Sequence, residues 1–232
     1  MHSFFRSAVM VSIGAIVAVL VSTLPTRAAD ESKALQNQVD KLQKQVSKLQ
    51  AKLKYMRVED GGLNGLSGPH VIFEACNVHI RSGSGDTEDE GTPLGLGNLV
   101  VGYNETPSIT STARGGSHNL VVGPGHNYSS VAGAVFGKDN NVTGAYASVT
   151  AGYYSTASGD YSSVSGGRGH IASGSNSSVS GGYYNTASQG DASVSGGADN
   201  VASGYQSTIG GGYQRSISGQ FDWAAGGYYQ DF

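Results

Sequence analysis

The chain has 232 residues, 36 of them glycine and one of them cysteine, with a net charge of −3. The lone Cys76 excludes an intrachain disulfide framework. The charge is split: residues 30–57 hold seven basic and three acidic side chains, residues 58–232 five and fourteen, and an acidic, hydroxyl-rich remainder argues against a nucleic-acid partner.

At the N-terminus, Arg6 precedes an apolar or small run from Ser7 to Leu24, followed by Pro25-Thr26-Arg27-Ala28-Ala29. A positive start, an apolar middle and a small-residue site predict an export signal over residues 1–28, cut after Ala28. The run is also long enough to cross a thin bilayer, so an uncleaved anchor is the alternative. Export implies a chain that is secreted or held at the cell surface or outer membrane of a bacterium. Cys76 is then read as a small buried hydrophobe, with a bond between identical chains as the alternative.

Residues 30–57 predict a coiled coil. Val39, Val46 and Leu53 take one position of a strict heptad, and Leu35, Leu42, Leu49 and Met56 take the other. The flanking positions Gln36, Gln38, Gln43, Gln45 and Gln50 impose no charge code, which fits self-association. An amphipathic helix packed on a globular body is the competing reading, but no such body follows. Its basic face is read as a solvated exterior rather than a contact with an anionic surface.

Residues 58–98 form the expected β-rich cap and connector. Gly61 to Gly65 is a joint, and His70 to Arg81 is the most strand-like stretch in the chain. The acidic run Asp86 to Glu90 lacks the glycine-punctuated pattern of a calcium loop and reads as solvated.

Over residues 99–232 a glycine returns at Gly102, Gly123, Gly137, Gly152, Gly167, Gly182, Gly197, Gly212 and Gly227, after the first gap at 14 residues and then every 15. So short a period suits one coil of a solenoid. The fold class is therefore mainly β: a parallel β-roll or β-solenoid head of about nine 14–15-residue coils, preceded by the coiled-coil helix. In each coil a Val or Ile (Val164, Val179, Val194, Ile209) and an Ala (Ala157, Ala172, Ala187, Ala202) are predicted to face inward, with Ser and Thr outward. Trp223 is read as a bulky cap on the last coil. An interior this thin predicts packing against sister chains.

The segments Gly181-Gly182-Tyr183-Tyr184-Asn185-Thr186-Ala187-Ser188 and Gly196-Gly197-Ala198-Asp199-Asn200-Val201-Ala202-Ser203 resemble the head repeat of YadA-like trimeric autotransporter adhesins. That resemblance covers about residues 99–227. It implies a left-handed roll, three chains side by side and display on a bacterial surface. The family places its stalk and β-barrel anchor after the head, whereas here a coiled coil precedes it and no barrel strands follow. Autotransport and barrel anchoring are therefore not carried over.

The reading is non-enzymatic. His70, His79, His118, His126 and His170 show no metal-ligand spacing, and no catalytic, cofactor or metal residues are assigned. One surface file stands out. Positions after the marker glycine give Tyr153, Arg168, Tyr183, Ala198, Tyr213 and Tyr228, with Tyr154, Tyr184 and Tyr229 one further on. Stacked one coil apart, they predict an aromatic–guanidinium ladder suited to a glycan or a protein on another cell surface. Tyrosines that only brace the roll or a chain–chain interface are the bland alternative. The expected function is an adhesin-like extracellular fibre, self-associated as a homotrimer in preference to a dimer. An ice-binding solenoid and a purely structural spacer are the alternatives.

Overall fold

The computed structural model describes residues 29–107 and 112–226. The predicted export signal, Gly227, Tyr228 and Tyr229 lie outside them. The chain divides into two compact units, Met1–Val78 and His79–Phe232.

In the first unit residues 29–52 form a helix, α1, with every residue exposed. The heptad side chains are uncovered too, from 37% for Val39 to 62% for Leu35. The helix stops at residue 52 rather than at 57. Met56 and Arg57 instead open β1 (Met56–Glu59), which pairs antiparallel with β2 (His70–Phe73), Met56 opposite Phe73 and Glu59 opposite His70. That ladder gives partners to backbone groups that a last helical turn leaves orphaned. The strand-like stretch from His70 to Arg81 is thus a strand for only four residues. Cys76, expected to be buried, is exposed just beyond it. A two-stranded hairpin has no second layer to cover it.

The second unit is a parallel β-solenoid. One sheet has nine strands, from Leu99–Val101 at one edge to Trp223–Ala224 at the other, and a second has seven, from Asn127–Tyr128 to Ser216–Ile217. Strands pair in register with their equivalents one coil on: Ser163 faces Ser178, which faces Ser193. Turns with a strand in both sheets number about seven, and the count of nine applies to the first sheet alone.

The interior follows the predicted alternation. Val121, Val135, Val149, Val164, Val179, Val194 and Ile209 line the first sheet, and Val142, Ala157, Ala172, Ala187 and Ala202 line the second, none more than 2% exposed. Trp223 does not cap this interior. It stands opposite outward Thr208 and is 71% exposed, while Ala224 takes the inward place opposite Ile209. Side chains alternate along a strand, and Trp223 falls on the odd side.

Residues 79–98 lie against the first coil. The Leu94 and Gly95 N–H groups donate to Ser117 Oγ at 2.9 and 3.0 Å, and Asn98 Oδ1 accepts from the Asn119 N–H at 2.8 Å. The acidic run within this segment is not wholly solvated. Asp89 is buried and accepts from Ser84 Oγ at 2.7 Å and from the Leu94 N–H at 2.8 Å. Hydrogen bonds from Ser117 and Ser82, with the others, hold its carboxyl well below the usual carboxylate range.

Candidate functional site

The marker glycine bends one corner of most coils, with a left-handed backbone at Gly123, Gly137, Gly167, Gly182, Gly197 and Gly212. At Gly182 φ is 96°, and a Cβ there would sit 2.0 Å from the carbonyl oxygen of Gly197 on the next coil. Only glycine accepts both the left-handed backbone and that approach. Two residues after the marker glycine the backbone is also left-handed, at Tyr154 (φ 57°), Tyr184 (φ 48°) and Asp199 (φ 55°). These two bends turn the residue between them outward and the residue after them inward.

The inward residues form a polar file that the sequence reading did not assign: His126, Asn140, Ser155, His170, Asn185 and Asn200, all fully buried. Asn185 shows the pattern. Its Nδ2 donates to Gly181 O and Gly197 O, both at 2.9 Å, and its Oδ1 accepts the Asn200 N–H at 3.0 Å. Asn140 bonds Phe136 O, Gly152 O and the Ser155 N–H in the same way, and Asn200 bonds Gly196 O, Gly212 O and the Arg215 N–H. Each asparagine so ties three backbone groups, one of them on its own coil and two on the next.

Histidine substitutes for asparagine twice. His126 Nδ1 accepts the Asn140 N–H at 3.2 Å and His170 Nδ1 accepts the Asn185 N–H at 3.1 Å, which assigns the ring proton to Nε2. His126 Nε2 lies 3.1 Å from Val122 O, whereas His170 Nε2 has no hydrogen-bond partner. Burial pushes both imidazoles below the ordinary histidine value.

The outward residues form the predicted ladder. Bridges join Lys138 to Tyr153, Tyr153 to Arg168, Arg168 to Tyr183, Tyr183 to Ala198 and Ala198 to Tyr213. The guanidinium carbon of Arg168 lies 5.3 Å from the Tyr153 ring centre and 5.7 Å from that of Tyr183. Lys138 Nζ sits 5.8 Å from the Tyr153 ring. Tyr154 packs on Tyr153 with ring centres 4.1 Å apart, and its hydroxyl raises the Tyr153 phenol above its ordinary value. Tyr184 packs edge-on against Tyr183 at 4.3 Å and leans back across Gly169, where a Cβ would meet its ring at 2.3 Å. Tyr153, Tyr154, Arg168, Tyr183 and Tyr184 therefore make one patch around the guanidinium. Tyr213 stands two coils away behind Ala198, outside that patch. Tyr228 lies outside the described residues.

Two other surface features emerge. Tyr146 and Tyr161 stack at another corner, ring centres 5.2 Å apart and planes within 6°. A hydrogen bond to Glu88 pushes the Tyr146 phenol up to about 12. The first sheet carries an outward hydroxyl file, Ser148, Ser163, Ser178, Ser193 and Thr208, in register. On the second sheet the matching file reads Thr156, Ile171, Thr186, Val201 and Ser216, broken at Ile171 and Val201. Among the described residues no group of three or more His, Cys, Asp or Glu is placed to hold a metal ion. No helix among them is long and apolar enough to cross a membrane.

Comparison of the chain with protein-family models, with curated proteins and with solved structures gives no match.

Proposed function

We propose that the chain is an exported, non-enzymatic, adhesin-like fibre protein, assembled from identical copies through its helix and recognising another surface through its solenoid. The observation that carries this reading is the uncovered heptad seam of Leu35, Val39, Leu42, Val46 and Leu49. A helix of this length with an unpaired seam is marginal in water and gains its stability from partners. Glutamine at the flanking positions makes a second copy of the same helix a suitable partner. Exposed Leu94, Leu96, Leu99 and Val101 at the first coil offer further apolar area for assembly. The resemblance of the repeat to YadA-like heads favours three copies over two and a bacterial surface as the setting.

Light scattering on the full chain, beside a variant lacking residues 29–52, tests the reading. The full chain is expected at three chain masses and the shortened variant at one. A full chain at one chain mass overturns it. Binding to intact cells then separates an adhesin from a spacer: a trimer that attaches to no cell surface is a spacer.

A second reading has one observation behind it. The unbroken hydroxyl file from Ser148 to Thr208 is the kind of flat, regular array that an ice-binding face needs. Thermal hysteresis in solutions of the full chain would favour it over adhesion.

A further inference from the structure

The patch around Arg168 has features that self-association does not require. Arg168 is exposed, and among the described residues no carboxylate lies within ion-pair distance of its guanidinium. That is notable in a region with fourteen acidic and five basic side chains. Its fork is braced by Tyr153 and Tyr183, which spares the ordering entropy that a free arginine loses on binding. A cation–π contact takes up none of a guanidinium's N–H groups, which are the groups that grip a carboxylate or sulfate in bidentate fashion. Tyr183 and Tyr184, 42% and 45% exposed, set apolar ring surface beside those edges.

The rungs also have a direction. Lys138, Tyr153, Arg168 and Tyr183 follow one another along the solenoid axis, cation and aromatic alternating at about 4.8 Å per coil. A small ligand would meet one rung. A linear polymer lying along the axis meets them all, with its acid groups on Lys138 and Arg168 and its ring faces on the tyrosines.

We infer that this ladder is a binding site for an acidic linear polysaccharide, a polymer of sugar rings bearing carboxylate or sulfate groups. The inference rests on the surface-recognition reading above and names the ligand class for it. The shared chemistry is an anion on a pyranose ring.

The test is binding of the full chain to immobilised polygalacturonate, dextran sulfate and unmodified dextran, at low and at physiological salt. Either acidic polymer is expected to bind, with affinity falling as salt rises, and dextran is not. The polymer that binds more tightly tells carboxylate from sulfate. Arg168→Gln removes the fork and is expected to weaken binding about tenfold, the scale of one charge-assisted contact. Arg168→Lys keeps the charge and is expected to lose less, and Tyr184→Ala to lose a few fold. Because Arg168 is exposed, the thermal melt of Arg168→Gln should match the parent, which separates lost binding from lost fold. Equal binding by dextran, or full binding by Arg168→Gln, overturns the inference. If neither acidic polymer binds while the chain still attaches to intact cells, the ligand class is wrong and the surface-recognition reading stands. If it attaches to nothing, both fall.

Discussion

The helix and the solenoid handle apolar residues in opposite ways. Leu35, Leu42 and Leu49 on the helix are more than half exposed, while Val164 and Val179 in the solenoid are wholly buried. A thin run of one Val and one Ala per coil suggests from sequence a solenoid in need of sister chains for burial. The polar file alters that argument. Asn140, Asn185 and Asn200 each tie three backbone groups, so hydrogen bonds between coils supply cohesion that apolar area does not. The case for assembly therefore rests on the helix, and the case for a self-consistent coil rests on the asparagines.

That contrast can be broken at either end. The largest effect is expected from Leu42→Glu, which puts a charge in the heptad seam. Scattering mass should fall to one chain while the β signal in circular dichroism stays unchanged. An unchanged mass would place assembly outside the helix. Next comes Asn185→Ala. It leaves the buried Asn200 N–H without its acceptor and takes a donor from the Gly181 and Gly197 carbonyls, of which Gly197 O keeps the Tyr183 N–H, and the expected loss is about 3 kcal/mol in denaturant melts. A loss under about 1 kcal/mol would mean the file is filler. Val179→Ala trims the apolar side of the same coil, with an expected loss of about 2 kcal/mol. If it costs more than Asn185→Ala, apolar burial outweighs the polar file after all.

The smallest effect concerns His170. Its buried ring favours the neutral form, so the folded state takes up a proton less readily than the unfolded state, whose value is near 6.5. Stability is accordingly full above pH 6.5 and falls as pH drops from there through the lowered native value. His170→Asn restores the residue type used at Asn185 and should flatten that acid slope in pH-dependent melts. The same slope in both proteins would show that His170 is not its source.

Much of the solenoid is legible because a fixed period makes neighbours of equivalent residues. Tyr153, Arg168 and Tyr183 must stack once the coils are in register, and they do. What the period does not carry is side-chain direction: Tyr184 leans back over Gly169 rather than forward. The interior file stayed hidden because Asn, Ser and His look dissimilar in a sequence. All three present one acceptor to the N–H of the next coil, and that shared property is the signal to look for at a constant offset from the marker glycine. The helix boundary escaped for a different reason. Met56 keeps the heptad phase, yet β1 needs it opposite Phe73, and the long-range pairing wins over the local pattern. The Asp89 node is also long-range, since its serine donors include Ser117.

In-register pairing has a consequence for how such a chain changes length over generations. Ser178 meets Ser193 and Val179 meets Val194, so each coil presents its neighbours with nearly the same edge. Excising residues 186–200 would join Asn185 to Val201 and set like against like on both sides of the cut. The solenoid would shorten by about 4.8 Å, one strand spacing, with the Arg168 patch untouched. Coils of other lengths occur only at the N-terminal end, where paired strands lie 21 and then 14 residues apart, whereas from Ser148 onward every step is 15 residues. Reach is thus quantised, and recombination between repeats can reset it one step at a time without redesigning the fold.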